Sequence, residues 1–72
     1  MKMDKIRRMA KMYGCVSKDE PWEFKIEVYK DGTVAEFFFN DEERAGWFHS
    51  KASKFAEEIQ GWHKWMCDLL PW

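Results

Sequence analysis

Glycine, proline and cysteine are scarce in this chain of 72 residues, which contains four glycines, two prolines and two cysteines. The glycines are dispersed, which excludes the glycine-rich phosphate-binding loops of nucleotide-binding proteins. Two cysteines do not make a disulfide framework. We expect Cys15 and Cys67 to be reduced thiols in a cytoplasmic protein, while a bond between the two stays open.

Long apolar runs are also missing. No segment approaches the ~18 apolar residues that a membrane span requires, and no apolar stretch follows the basic N-terminus as in a signal peptide. We therefore expect a soluble, cytoplasmic protein without membrane contact. The length predicts one small domain, residues 1–72, with a core near the lower size limit for independent folding.

Residues that carry chemistry do not form a recognisable pattern. His63 and Cys67 are both zinc-ligand types, but two residues four positions apart match no standard zinc motif. Neither thiol is marked as an activated nucleophile, and no oxyanion-stabilising loop is visible. We predict no catalytic residue, no metal and no cofactor, and hence a protein that is not an enzyme.

Aromatic residues are abundant, with five Trp and six Phe. Residues 22–40, WEFKIEVYKDGTVAEFFFN, contain two alternating apolar runs on either side of Asp31-Gly32, a pair that suits a two-residue type I′ turn. The resulting antiparallel hairpin places seven apolar residues on one face: Trp22, Phe24, Ile26, Val28, Ala35, Phe37 and Phe39. A shift of one residue in the register would scatter this set.

Helical periodicity flanks the hairpin on both sides. Residues 3–13 predict a short N-terminal helix ended by Gly14. Asn40 and Glu43 fit a capping box at the start of a second helix. Apolar residues then recur at helical spacing: Ala45, Phe48, Ala52, Phe55, Ala56, Ile59, Trp62 and Met66. The sequence predicts an α+β fold in which a long C-terminal amphipathic helix, bent or ended near Gly61, packs on one sheet face.

A hairpin alone is marginal in water and has two open edges. Either residues 14–19 add a third strand or another chain supplies one. A homodimer through an open sheet edge, or a partner protein's strand at that edge, is therefore expected.

Two groups of residues are candidates for binding another protein. Trp47 and Trp65 lie on a polar flank of the predicted long helix, and Trp is strongly enriched at binding hot spots. Whether the N-terminal helix buries them stays open.

The second group lies on the outer face of the hairpin, where Phe38 and Tyr29 are apolar groups on a mostly charged surface. On this face Glu27 opposes Glu36, which is unfavourable unless Lys25 or a partner's base intervenes.

Charge is distributed unevenly. Residues 1–18 carry six bases and one acid, whereas the remaining residues carry six bases and twelve acids. The alternative function is therefore nucleic-acid binding through the N-terminal helix, with five candidate residues: Lys2, Lys5, Arg7, Arg8 and Lys11. The acidic remainder would repel a phosphate backbone, so we place this function below protein binding.

The segments VYKDG and FNDEERAGWF, residues 28–32 and 39–48, follow each other as a hairpin and an amphipathic helix. Over residues 26–48 this order resembles the core of small phage anti-CRISPR proteins, which are single-domain α+β inhibitors that bind a host defence complex. The basic N-terminal helix departs from that pattern, and no functional residue is transferred. The resemblance implies a non-enzymatic inhibitor that occludes a host protein. The expected function is thus a protein–protein interaction module.

Overall fold

The computed structural model describes residues 2–63, which contain two helices and three strands. In order these are α1 (Lys2–Met12), β1 (Phe24–Lys30), β2 (Thr33–Phe39), α2 (Glu42–Ala52) and β3 (Glu58–His63). The predictions placed on Trp65 and Cys67 lie outside the described residues, as do the side chains of Lys2, Trp62 and His63. The small α+β fold predicted from the sequence is confirmed.

The hairpin β1–β2 has the predicted turn and register. Asp31 and Gly32 occupy its tip with φ of 51° and 78°, the positive values that a type I′ turn requires. Ile26 lies opposite Phe37 and Val28 opposite Ala35. The apolar alternation therefore points to one face of the sheet, as the sequence predicts.

The prediction of a long C-terminal helix is wrong beyond Ala52, because the next regular element is a strand. At the end of α2 the Ser53 hydroxyl donates to the Ser50 carbonyl over 2.8 Å. The Glu57 N–H then donates to the Tyr29 carbonyl over 2.9 Å, which brings the chain onto the edge of β1. Residues 58–63 continue along β1 as β3, so the sheet order is β2-β1-β3.

The prediction that residues 14–19 form a third strand is wrong, since β3 of the same chain provides that strand, while pairing of a sheet edge with another chain stays a prediction. Residues 14–19 contribute a single bridge at the outer edge of β2, where the Val16 N–H donates to the Phe38 carbonyl over 2.7 Å. A central β1 hydrogen-bonded on both sides removes the marginal stability of a lone hairpin.

Helix α1 ends as its sequence predicts. The Cys15 N–H donates to the Ala10 carbonyl and the Gly14 N–H to the Lys11 carbonyl, which together form a Schellman motif. Gly14 has φ of 83°, a conformation that residues with a side chain rarely adopt. A Cβ at this position would also lie 2.8 Å from Arg44 Nη1, but this exposed side chain can move aside, so the positive φ is what requires glycine.

Helix α2 begins one residue later than predicted. Asp41 is the N-cap, and its carboxylate accepts from the Arg44 N–H over 3.1 Å. Glu43 therefore does not occupy the capping-box position assigned to it after Asn40. Both helix-start acids, Glu42 and Glu43, still lie at the positive end of the helix dipole.

The core lies between the sheet and the helices. Helix α2 contacts all three strands and α1, and Phe48 at its centre packs against Phe37 and Phe39 with ring centroids 5.1 and 5.3 Å apart. The remaining buried core residues are Met3, Ile6, Met9, Ala10, Ile26, Val28, Ala35, Ala45 and Ala52. Helix α1 thus buries the apolar stripe that its spacing predicts, and its described bases Lys5, Arg7, Arg8 and Lys11 are exposed.

Candidate functional site

On the outer face of the sheet, one lysine lies between two glutamates. Lys25 lies beside both acids of the predicted repulsive pair, with its Nζ 3.1 Å from a Glu36 oxygen and 3.7 Å from a Glu27 oxygen. Lys25 therefore supplies the base that the sequence argument requires between Glu27 and Glu36. A charged partner is not needed to relieve this pair.

Phe38 was predicted to be exposed on this face, and that prediction is wrong. Its side chain is 7% exposed because the Trp22 ring lies over it, with centroids 4.8 Å apart. Trp22 precedes β1 and crosses to the outer face, whereas the alternation placed it in the core. A buried Phe38 has little surface to offer a partner.

Tyr29 is half-buried on the same outer face. Its cross-strand neighbours are Val34 on β2 and Glu58 on β3, and Val34 is exposed. Among the described side chains of this face, Tyr29 and Val34 thus form a small apolar pair beside Glu58.

The helices form the opposite side of the molecule and run antiparallel. The Lys5 ammonium lies 4.0 Å from the centroid of the Phe55 ring, just beyond the end of α2. At the other end, the Tyr13 ring lies 6.4 Å from that of Trp47. The end of α1 therefore meets the first half of α2.

Trp47 is the most exposed aromatic side chain in the described part of the chain, with 52% of its surface accessible. It borders an open depression of about 380 Å³, here called the Trp47 hollow, which is lined by Tyr13, Trp47, Ser50, Lys51 and Lys54. Tyr13, the residue that follows α1, forms one wall of this hollow but does not bury Trp47.

Sequence analysis identified Trp47 and missed the other four lining residues. Ser50, Lys51 and Lys54 follow Trp47 at intervals of three, four and seven, a spacing that places them on one helix face. That signal was available in the sequence. The contribution of Tyr13 depends on how α1 packs against α2, which periodicity does not reveal.

The α1 bases of the alternative function are exposed. Lys5, Arg7, Arg8 and Lys11 all point away from the core, and Met12 beside them is 78% exposed. Within residues 2–63 these four bases form no salt bridge with a carboxylate. The basic surface of α1 therefore lies next to Tyr13, which lines the hollow.

A second open depression, of about 300 Å³, lies between α2 and the sheet. Its lining is mostly apolar and consists of Phe24, Ile26, Glu42, Ala45, Gly46, His49 and Gly61. None of these residues was a predicted binding residue.

Cys15 is the one cysteine that the structure describes. It is half-buried, packs against the core and is free. Burial raises the pKa of its thiol above the ordinary value, against an opposing effect of the nearby Lys11 charge. The neutral thiol is therefore favoured, whereas reactive cysteines have a lowered pKa.

Two further observations concern residues 2–63. The acidic, His and Cys side chains among them form no group of three or more that could hold a metal ion. Neither described helix has the length and apolar character needed to cross a membrane.

Comparison of the chain with protein-family models, curated sequences and solved structures finds no match.

Proposed function

We propose that this chain is a non-enzymatic protein-binding module whose contact surface is the Trp47 hollow. The observation that carries the proposal is the exposure of Trp47 in a protein that buries its other described helix aromatic, Phe48, completely. Transferring the exposed half of an indole ring from water to an interface is favourable. Trp is also among the residues most enriched at binding hot spots.

The charges around Trp47 support the same surface. Lys51 and Lys54 border the ring, and within the described residues neither forms a salt bridge. On the outer face of the sheet, by contrast, Lys25 is already engaged by Glu27 and Glu36. Trp47, Lys51 and Lys54 are therefore available to a partner on the helical side.

The absence of enzymatic activity stays a prediction, and the state of Cys15 supports it. Burial raises the pKa of this thiol, which is opposite to the activation of a nucleophile. The narrower prediction of an inhibitor that occludes a host defence protein rests on the sequence resemblance alone. The predicted homodimer would form along β3, the edge strand on the side of β1 away from β2.

Nucleic-acid binding is the second candidate, and it is favoured by the exposed Arg7, Arg8 and Lys11, which form no salt bridge within residues 2–63. Arg7 and Arg8 would contact phosphates, so replacing both with Ala should flatten the salt dependence of binding. It ranks second because bases stack best on several successive rings, whereas the hollow has one exposed ring tilted by 54° from a half-buried one.

The test is affinity capture from a bacterial lysate with the tagged chain, with and without nuclease, read by mass spectrometry. Trp47→Ala is compared with Val34→Ala, since Val34 is an exposed apolar residue on the opposite side of the molecule. We expect a stoichiometric protein that survives nuclease and Val34→Ala but is lost with Trp47→Ala. Equal recovery by both variants would refute the assigned surface, and recovery that depends on nucleic acid would favour the second candidate.

A further inference from the structure

The shape of the Trp47 hollow indicates how much of a partner it takes. The Tyr13 and Trp47 rings meet at 54° with their centroids 6.4 Å apart, so they form an angled apolar corner rather than a flat platform. A depression of about 380 Å³ is of the size that small ligands fill. It suits one large side chain, and a ring can meet the corner edge-to-face, as aromatic pairs prefer.

The charges beside this corner are of one sign. Lys51 and Lys54 are the charged groups that line the hollow, and both are exposed without a carboxylate partner among residues 2–63. Glu43, the acid nearest to Trp47 along α2, lies one turn towards the helix start and does not line the hollow. The hollow is thus apolar at its corner and cationic towards the end of α2.

A third lysine lies near the end of α2, where the helix terminus itself carries a partial negative charge. Lys51 lies in the last turn of α2, and Lys54 follows the helix directly. The Lys5 ammonium is held over the ring of Phe55, the residue next to Lys54. Three cations therefore lie near one helix end, and like charges cannot neutralise each other.

We propose that the Trp47 hollow binds an acidic peptide segment of a partner protein, with one hydrophobic side chain in the Tyr13–Trp47 corner and carboxylates beside Lys51 and Lys54. This rests on the proposed function and names the chemistry of its partner. Exposed ion pairs contribute little affinity each, so the apolar anchor supplies most of the binding. The lysines select the sign of the segment and raise its association rate.

The test uses the full chain and three fluorescein-labelled probes of similar length, followed by fluorescence anisotropy at low and physiological salt. One probe is a peptide of Asp and Glu around a central Phe. The second has Asn and Gln in place of the acids, and the third is an oligothymidylate. We expect the acidic peptide to bind about tenfold more tightly than the neutral one, as two weak ion pairs allow, and salt to reduce this difference.

Two variants separate the anchor from the charges. Trp47→Ala should abolish binding of both peptides. Lys51→Glu combined with Lys54→Glu should weaken the acidic peptide by at least about tenfold and spare the neutral one. Lys18→Glu combined with Lys30→Glu changes the net charge equally outside the hollow and should have a smaller effect. Circular dichroism confirms that each variant is folded.

The outcomes distinguish the two proposals. Equal affinity for both peptides, or no binding of the acidic peptide, would overturn the acidic partner, while Trp47-dependent capture in the lysate experiment would still support a protein-binding module. Tighter binding of oligothymidylate, lost in both hollow variants, would overturn it in favour of nucleic acid. Capture that does not depend on Trp47 would remove the proposed function itself.

Discussion

The two outer sides of this protein differ in the ion pairing of their lysines and in the burial of their aromatic rings. On the sheet side, Lys25 lies between Glu27 and Glu36, and Trp22 covers Phe38. On the helical side, Trp47 is half exposed, and the lysines near it have no carboxylate partner in residues 2–63. Both sides looked equally suitable for binding in the sequence.

The difference follows from the geometry of the two surfaces. On one face of a sheet, diagonal cross-strand neighbours lie about 7–8 Å apart, within reach of a long side chain. Lys25 therefore reaches Glu36 on β2 as well as Glu27 two residues along its own strand. Lys51 in the last turn of α2 and Lys54 in the turn after the helix carry the same charge, so they do not neutralise each other. Uncompensated groups on a rigid surface are those that an external partner can use.

The largest difference in the free energy of unfolding should appear when one aromatic residue on each side is replaced by alanine. Phe38→Ala should lower the free energy of unfolding by about 3 kcal/mol, because it empties a buried site beneath Trp22. Trp47→Ala should cost less than about 1 kcal/mol, since half of the ring is already in water. Urea denaturation measures both. A loss for Trp47→Ala as large as for Phe38→Ala would make Trp47 a structural residue and end its role as a contact.

The second test addresses the contact between the helical and sheet layers. A Cβ on Gly61 would lie 3.2 Å from Ile26 Cγ1 and 3.4 Å from His49 Cδ2, so Gly61→Val should cost about 2 kcal/mol by overpacking. Gly46 lies inside α2 with no atom within 4 Å of an added Cβ, and Gly46→Ala should stabilise by up to about 1 kcal/mol.

Thermal unfolding measures both glycine variants, and neither should change peptide binding at the Trp47 hollow. If Gly61→Val is neutral, the added methyl groups fit into the open depression between α2 and the sheet, which Gly61 also lines, without displacing Ile26 or His49.

The smallest effect on stability should come from Lys25 on the sheet side. Lys25→Met keeps much of the side-chain length but leaves Glu27 facing Glu36, and should cost about 0.5–1 kcal/mol at low salt. Lys51→Met is the control on the helical side, where no described ion pair is lost. Denaturation at low and high salt measures both, because screening should reduce the Lys25 effect. Equal costs for the two variants would remove the contrast between the sides.

Much of the fold could be predicted because its signals are local. The Asp31-Gly32 turn and the alternation around it allow only one register with a continuous apolar face. Gly14 ends α1 because the helix terminus needs a residue with positive φ. The candidate site was predicted less well. Trp47 stood out by its residue type, whereas Tyr13 joins it only through the packing of the two helices.

The sequence by itself determined the hairpin, its register, the apolar stripe of α1 and the exposure of the α1 bases, since each depends on neighbours in the chain or on a single periodicity. The tertiary structure alone decided the conformation of residues 53–63. Phe55, Ala56 and Ile59 fit a helical stripe, yet Ile59 and Gly61 equally fit a strand whose alternate residues face Val28 and Ile26. Hydrogen bonding to the open edge of β1 selected the strand, because that edge exists only once the hairpin has formed. The same long-range packing placed Trp22 over Phe38 and left Trp47 facing solvent.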